Sequence, residues 1–253
     1  MAKSSIDINC DMGESYGRYQ LGNDTAIMPY ISSCNIACGF HAGDPLVISR
    51  TIEAALQHDL AIGAHPSYPD LQGFGRRSMQ LTLEELTAII NYQVSALKGM
   101  VEQAGGTLRH IKPHGALYND IAKDAELSKM MTEIMKNIGE GIQLVGLAGS
   151  VTADICKQHG IIFKGEFFAD RNYESNGQLV SRREANAVLH DPKLLANRVV
   201  DFCKTGQVTS IQNSTIVLSA DTICLHGDHP QAVENAQAIH QKLSDAHISS
   251  QRF

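Results

Sequence analysis

The sequence predicts an α/β protein whose seven parallel strands form a TIM-like β/α barrel. Short apolar runs alternate with helical patterns seven times, with no long linker between them, which is typical of a parallel sheet covered by helices. Polar side chains follow six of the seven runs, and the carboxyl ends of barrel strands all meet on one face. Neither a G-x-G-x-x-G pattern after the first run nor a Walker A motif occurs. These observations favour a closed barrel over an open doubly wound sheet.

The length of 253 residues suits one barrel, so residues 1–253 are predicted to form a single domain. Each predicted strand is a short apolar run, as expected for a buried strand. The seven predicted strands are 6–9, 34–38, 60–64, 108–112, 142–146, 161–165 and 221–225.

Helical periodicity fills the segments between the strands. Asp44 followed by Pro45 suits a helix start, with an acceptor at the N-cap and proline at the first position. Thr82 and Glu85 have the spacing of a capping box. The tail 247–253 has no pattern and is expected to be frayed. The predicted helices are 45–58, 83–103, 121–138, 150–159, 193–204 and 231–246.

Composition and charge count against several classes of protein. The formal net charge of −6 is mildly acidic, which argues against a nucleic-acid-binding protein. No stretch approaches the roughly 18 apolar residues of a membrane span, and the N-terminus lacks the apolar run of a signal peptide. The six cysteines are scattered, so we expect reduced core residues in a cytoplasmic protein rather than a disulfide framework.

Carboxylates and a histidine follow the first two strands. Asp11 and Glu14 suit a base with a second anion or a pair of metal ligands, and a solvated turn would also contain them. His41 lies between two apolar residues at the end of the second strand, a position that no turn or cap explains. Asp44, in contrast, is better explained as a helix cap.

Basic groups follow the third and fourth strands. His65 begins a rigid loop that contains two prolines and two glycines. The double arginine 76–77 in this loop suits bidentate binding of a carboxylate or phosphate, or else forms a surface pair beside Asp70. Lys112 and His114 lie two residues apart on an extended segment and therefore point the same way. A lysine at a barrel mouth suits stabilisation of a developing oxyanion.

Further charged residues follow the sixth and seventh strands. Glu166, Asp170 and Arg171 belong to the sixth, and His226 and Asp228 to the seventh. A salt-bridged loop would also account for the first group, and a helix cap would account in part for Asp228.

Five of the eleven histidines follow strand ends. Histidine is the natural acid–base group at neutral pH, so this concentration suggests proton transfer, metal binding or both. The motif H-E-x-x-H is absent, and a divalent metal is therefore possible but not indicated. The five are His41, His65, His114, His226 and His229.

Six ordered motifs occupy the chain from residue 6 to about residue 240. They are IDINCDMGESYG, NIACGFHAGDP, IGAHPSYPDLQGFGRR, IKPHGALYN, EFFADRNY and LHGDHP. Together they closely resemble the LamB/YcsF family, the family of the 5-oxoprolinase A subunits. Six motifs in the same order are far more specific than one short pattern.

The resemblance implies a barrel of the glycoside hydrolase/deacetylase type, with an incomplete ring of strands. It also implies ATP-dependent hydrolysis of the cyclic amide 5-oxoproline (pyroglutamate) to L-glutamate, together with two partner subunits, B and C. The chain has no recognisable phosphate-binding loop. ATP is therefore expected as a co-substrate handled mainly by the partners, while this barrel opens the ring.

The resemblance implies that the residues after the strands are of two kinds, catalytic and substrate-binding. His65, His114 or Asp11 would activate water, and Lys112 with Arg171 would steady the phosphate or the oxyanion. Either Arg76 or Arg171 would hold the substrate carboxylate. The proton network would be completed by His41, Glu166 and His226. The predicted catalytic residues are Asp11, His41, His65, Lys112, His114 and Glu166. The predicted substrate-binding residues are Glu14, Arg76, Asp170, Arg171, His226 and Asp228.

Two other functions fit the same residues. One is a stand-alone, metal-dependent amidase or deacetylase of the same fold. In such relatives the two metal-binding histidines share a short loop, whereas His41 and His65 come from different strands. The other is a non-catalytic lactam-binding subunit, against which the density of titratable residues at the strand ends argues.

Overall fold

The computed structural model describes residues 3–253, which contain ten strands and eight α-helices. The strands are β1 (Ser5–Met12), β2 (Ser33–Ala37), β3 (Ala61–His65), β4 (Leu108–Ile111), β5 (Gln143–Leu147), β6 (Phe163–Phe168), β7 (Gln207–Thr209), β8 (Thr215–Val217), β9 (Thr222–Leu225) and β10 (Ser249–Ser250). The helices are α1 (Asp24–Ile27), α2 (Pro45–Gln57), α3 (Leu83–Gln103), α4 (Gly115–Ile121), α5 (Ala125–Ile138), α6 (Val151–His159), α7 (Pro192–Thr205) and α8 (Ala232–Asp245).

Seven of the strands form a closed parallel barrel. Each strand from β1 to β5 pairs with the next, and β9 pairs with both β6 and β1. The predicted seven-stranded barrel is therefore confirmed. The incomplete ring that the resemblance implied needs correction, because residues 7–10 pair in register with residues 222–225 and close it. The ring has fewer strands than the eight of a TIM barrel, but it is continuous.

Helix starts follow the predicted capping residues. The Asp44 carboxylate accepts hydrogen bonds from the amides of Leu46 and Val47 at 2.9 and 3.0 Å. Both bonds of the capping box between Thr82 and Glu85 are present at the start of α3. Among residues 3–253, no helix is both long and apolar enough to cross a membrane.

The helix predicted for 121–138 begins later, at Ala125, and a separate helix that was not predicted, α4, precedes it. The Asp124 carboxylate accepts from the amides of Glu126 and Leu127 at 2.7 and 3.0 Å. These bonds cap the N-terminus of a new helix, so the chain breaks between α4 and α5. The antiparallel hairpin of β7 and β8 was also absent from the prediction, because both strands are only three residues long.

The C-terminal tail is held in place, contrary to the expectation that residues 247–253 fray. Strand β10 extends the sheet by pairing in parallel with β1, and Ile248 is only 4% exposed. The Phe253 ring lies 5.3 Å from the Lys164 ammonium. Pairing with an existing strand edge supplies order that a local sequence pattern does not reveal.

Polar side chains fill part of the barrel interior. Asp7, Asn9 and Asp11 alternate along β1 and are all buried, as period-two geometry places them on one face. Asn9 donates its side-chain amide to Glu166 Oε1 at 2.9 Å, and Asn35 donates to Asn9 Oδ1 at 2.7 Å. Buried polar groups persist when they are hydrogen-bonded, so this network ties three strands together beneath the mouth of the barrel.

Gly63 in β3 occupies a point of the barrel where a side chain does not fit. A Cβ there would overlap the imidazole of His110. Overpacking a core costs about 1–3 kcal/mol, so Gly63→Ala is expected to lower the free energy of unfolding by about that amount in urea denaturation. Gly99→Ala on the exposed side of α3 is the control, because nothing outside its own helix lies within 4 Å of the added Cβ. Wild-type stability of Gly63→Ala would contradict this packing.

Candidate functional site

The carboxyl ends of the strands surround a cavity of about 860 Å³. Asp11 of β1 and His65 of β3 line it, together with Lys112 and His114 after β4 and His226 after β9. The convergence expected at the mouth of a barrel therefore brings together predicted residues from four strands.

Lys112 lines the cavity although only 2% of its surface is exposed. Its ammonium donates to Asp11 Oδ1 at 2.8 Å, Asn9 Oδ1 at 3.1 Å and Cys224 Sγ at 3.1 Å, and lies 3.0 Å from Glu166 Oε1. Burial alone would lower the pKa of Lys112, but the Asp11 carboxylate and the other acceptors raise it well above its usual value. A fixed positive charge therefore stands in the cavity wall.

Asp11 connects this lysine to the histidines. Its Oδ1 also accepts from Asn35 Nδ2 at 2.8 Å, and its Oδ2 lies 3.2 Å from His65 Nε2. Burial would raise the pKa of Asp11, but His65 and Lys112 hold it well below its usual range. Asp11 is therefore an ionised carboxylate between two basic groups.

His65 and His114 face each other beside Asp11. His65 Nδ1 donates to the main-chain carbonyl of Lys112 at 2.6 Å, and His114 Nε2 donates to that of Phe74 at 2.9 Å. A carbonyl only accepts, so these bonds assign the tautomer of each neutral ring. The other two nitrogens, His65 Nε2 and His114 Nδ1, lie 2.9 Å apart.

Glu14 and His41 complete a buried cluster with these two histidines. Glu14 Oε1 lies 3.2 Å from His41 Nε2 and 3.5 Å from His114 Nδ1. The rings of His41 and His114 are stacked with their centroids 3.8 Å apart. One ligand atom from each of the four residues lies within 4.8 Å of the others. We call Glu14, His41, His65 and His114 the His/Glu cluster, and its geometry is compatible with a bound metal ion.

Burial sets the charge of the His/Glu cluster. Burial, aided by the Asp11 charge, raises the pKa of Glu14 well above its usual value. Burial also lowers the pKa values of His41 and His114. Burial therefore favours the neutral forms of His41, His114 and Glu14 in the absence of a cation.

A second hydrogen-bonded group involves the loop after β6. His226 Nδ1 donates to Asp170 Oδ2 at 2.7 Å, and His226 Nε2 accepts from Arg182 at 2.9 Å. Burial would raise the pKa of Asp170, but His226 and neighbouring arginines lower it to about 2. Arg76 pairs with Asp228 at 2.5 Å. The structure thus places four predicted substrate-binding residues in two pairs.

Two arginines have structural partners. Arg171 donates through Nε to the carbonyl of Ala187 at 3.2 Å and through Nη2 to that of Val180. Its guanidinium therefore holds the loop after β6, and Arg171 also lines the cavity, so its role in substrate binding stays a prediction. Arg77 pairs with Asp70, as the surface-pair alternative anticipated.

Several residues of the site were missed by sequence reasoning. Asn9 and Asn35 contact the Lys112–Asp11 pair, and Arg182 and Arg183 line the cavity. The alternation of Asn9 with Asp11 along β1 was an available signal. The two arginines lie between β6 and α7 in an irregular segment, where no periodicity indicates orientation.

Relatives match this chain over almost its whole length. The A subunit of 5-oxoprolinase from Acinetobacter baylyi is 49% identical over 98% of both chains. The corresponding A subunit from Thermococcus onnurineus is 48% identical over 96% of both chains.

Solved structures agree with the fold. The crystal structure of the lactam utilization protein from Thermus thermophilus matches with a TM-score of 0.92 and 38% identity, over 98% of this chain and 100% of that chain. A family 4 carbohydrate esterase from Streptomyces lividans matches with a TM-score of 0.51 and 12% identity, over 99% of this chain and 93% of that chain. At this identity the two proteins share the fold alone. The LamB/YcsF family model matches residues 6–253. The chain belongs to the LamB/YcsF family.

Proposed function

We propose that this chain is the A subunit of a 5-oxoprolinase, which opens 5-oxoproline to L-glutamate with ATP and two partner subunits, B and C. The observation that carries the proposal is the buried chain of Lys112, Asp11 and His65 in the wall of a cavity large enough for a small substrate. Relatives that are named as the A subunit of 5-oxoprolinase support the choice of substrate. We place the protein in the cytoplasm, because its free, buried cysteines suit a reducing compartment.

The proposed reaction overcomes the low reactivity of an unstrained amide. Transfer of a phosphoryl group from ATP to the lactam oxygen turns the ring carbonyl carbon into a good electrophile. Water adds to that carbon, and the ring C–N bond breaks as a proton reaches the nitrogen. A second water then hydrolyses the resulting acyl phosphate to glutamate and phosphate. The binding of ATP, and delivery of its phosphoryl group to a lactam held in this cavity, is assigned to the partner subunits, because this chain has no recognisable phosphate loop.

The cavity residues suit the hydrolytic steps. The Lys112 ammonium stabilises negative charge on the lactam oxygen or its phosphate, and Glu166 positions that ammonium from 3.0 Å. His226 is suited to take the proton from water. Its Nδ1–H is held by Asp170, and its Nε2 therefore carries the lone pair that accepts a proton. Asp11, with its low pKa, is better suited to fixing the Lys112 ammonium than to holding a proton.

Arg182 is proposed to bind the substrate carboxylate. It lines the cavity and donates to His226 Nε2, so its transfer to the carboxylate would release that nitrogen to accept a proton. A hydrogen bond to a charged group is worth about 1.5–3 kcal/mol, and Arg182→Leu is therefore expected to raise the KM for 5-oxoproline at least about tenfold in the assembled complex. Arg109→Leu on the exposed side of β4 is the control. An unchanged KM in Arg182→Leu would refute this role.

The function itself is tested by glutamate release from 5-oxoproline. The purified full-length chain is assayed alone, with B or C added singly, and with both partners, in the presence and absence of ATP. We expect glutamate and ADP to form in equal amounts only when both partners and ATP are present. Glutamate release by the chain alone without ATP would overturn the proposal.

A stand-alone, metal-dependent amidase or deacetylase is the second candidate, and the His/Glu cluster is the observation that favours it. The two functions differ in their need for ATP. Hydrolysis of a linear or cyclic amide by this chain alone, without nucleotide and with loss of activity on chelation, would support the second candidate.

A further inference from the structure

We propose that the His/Glu cluster binds one divalent transition-metal ion per chain, with zinc as the best chemical match. The ligand atoms are Glu14 Oε1, His41 Nε2, His65 Nε2 and His114 Nδ1. Each comes from the end of a different strand, in order from β1 to β4. This inference concerns binding alone and does not depend on the proposed substrate.

The orientation of two histidines is the first argument. The main-chain carbonyls of Lys112 and Phe74 accept from the outer nitrogens of His65 and His114. In the neutral rings both inner nitrogens then carry lone pairs, and they face each other at 2.9 Å. Metal-binding histidines are commonly fixed in this way, with the outer N–H held by a carbonyl and the inner lone pair on the metal.

The spacing of the ligand atoms is the second argument. Bonds of about 2.0–2.1 Å around a tetrahedral zinc place neighbouring ligand atoms about 3.3 Å apart. The His65–His114, Glu14–His41 and Glu14–His114 pairs are separated by 2.9, 3.2 and 3.5 Å. One ligand atom from each of the four residues lies within 4.8 Å of the others, so small side-chain adjustments complete a tetrahedron.

A shared proton explains less of this arrangement. A proton between His65 Nε2 and His114 Nδ1 would satisfy that contact alone. A second proton, on Glu14, would account for its contact with His41 Nε2, but two separate proton bridges would not require all four buried residues to meet in one small volume. Convergence of four ligand atoms is what a metal requires.

The donor set selects the kind of metal. Three imidazole nitrogens and one carboxylate oxygen suit zinc and its first-row neighbours, whereas magnesium and calcium prefer oxygen ligands. Such an ion, when bound, supplies Lewis-acid polarisation of a carbonyl. The neutral imidazoles and the buried carboxylate have their ligand atoms in place without removal of an existing ammonium or guanidinium.

A neighbouring group of potential ligands is a poorer site. Asp11, Cys224 and His226 also lie close enough to hold an ion. The Lys112 ammonium already occupies this position, 2.8 Å from Asp11 Oδ1 and 3.1 Å from Cys224 Sγ. A second cation there would be repelled.

Metal binding to the untagged, full-length chain tests the proposal. The chain is stripped with a chelator and titrated with Zn²⁺ by calorimetry, and with Co²⁺ as a spectroscopic probe. We expect one equivalent of each ion, cobalt d–d bands typical of a tetrahedral site, and no thiolate charge-transfer band. A large excess of Mg²⁺ is expected not to compete.

Variants locate the site. His41→Ala and the more conservative Glu14→Gln are each expected to weaken Zn²⁺ binding at least about tenfold, with circular dichroism confirming that they fold. His58→Ala, on an exposed residue that follows α2, is the histidine control and is expected to bind normally. Absence of binding, a thiolate charge-transfer band, or unchanged binding in folded His41→Ala and Glu14→Gln would each overturn the proposal. None of these measurements uses 5-oxoproline, so a failure here leaves the proposed function untouched, and a failed glutamate assay leaves the metal site untouched.

Discussion

Lys112→Met is expected to reduce glutamate release by the assembled complex at least about a hundredfold. Removing one preorganised group that stabilises a developing oxyanion costs about 10²–10³ in rate, and Lys112 supplies the fixed charge in this cavity. Methionine keeps a similar length and apolar stem. The variant therefore removes the charge that contacts Asp11 and Glu166 with little change in packing volume.

The Lys112→Met variant needs a check that it folds and assembles. Loss of the buried ammonium leaves Asp11 and Glu166 without their cation, and breaking a buried pair costs about 3–5 kcal/mol. Thermal unfolding and co-purification with the partners monitor this effect. Lys136→Met, which removes an exposed lysine paired with Glu133, is the matched control. Near wild-type turnover by folded, assembled Lys112→Met would show that the lysine is not part of the chemistry.

Gly75→Ala is expected to reduce activity about a hundredfold through displacement of two histidines. Gly75 has φ of +62°, and a Cβ there would lie 2.8 Å from His114 Cδ2 and 2.9 Å from His41 Cβ, besides overlapping the Ser67 hydroxyl. A shift of about 1 Å in an active site can cost about 10²-fold in rate. Steady-state kinetics of the assembled complex measure the loss.

Gly141→Ala separates this displacement from backbone strain. Gly141 also has positive φ, at +80°, but no described atom lies within 4 Å of its added Cβ. Both variants incur the cost of a left-handed alanine, about 1–2 kcal/mol, whereas only Gly75→Ala crowds the His/Glu cluster. Equal activity of the two variants would mean that the positions of His41 and His114 do not limit the reaction.

The barrel was predictable because its strands carry local signals. Apolar runs such as 60–64 and 221–225 lie within a residue or two of β3 and β9, and buried strands are read directly from such runs. The caps at Asp44 and Thr82 depend only on neighbouring residues, so they too were visible. The cap at Asp124 is just as local and was overlooked, whereas the order of the tail was not predictable, because its pairing with β1 depends on the folded chain.

The mouth of the barrel was predictable as a location but not as a set of contacts. Parallel strands in a barrel bring their carboxyl ends together, which placed Asp11, His65 and Lys112 in one site. The His/Glu cluster was hidden because Glu14 and His41 join the other histidines only through the order of strands in the ring. The distances in sequence between these residues do not indicate that they lie close together in the folded chain.

Individual roles were the least predictable part of the site. Arg171 was predicted to bind an anion, and it lines the cavity while also donating to the carbonyls of Val180 and Ala187. No sequence pattern indicated that Arg182 belongs to the site, yet it contacts His226. Which of two arginines in a loop is free to bind a ligand depends on the path of the loop, and this path is irregular.

A structure of the assembled complex with 5-oxoproline, solved without ATP, tests the central claim most directly. We predict that the lactam lies in the cavity at the mouth of the barrel, with its carbonyl oxygen within hydrogen-bond distance of Lys112 Nζ and its carboxylate on Arg182. Binding of the lactam to one of the partners, or on this chain away from Lys112, would contradict the account.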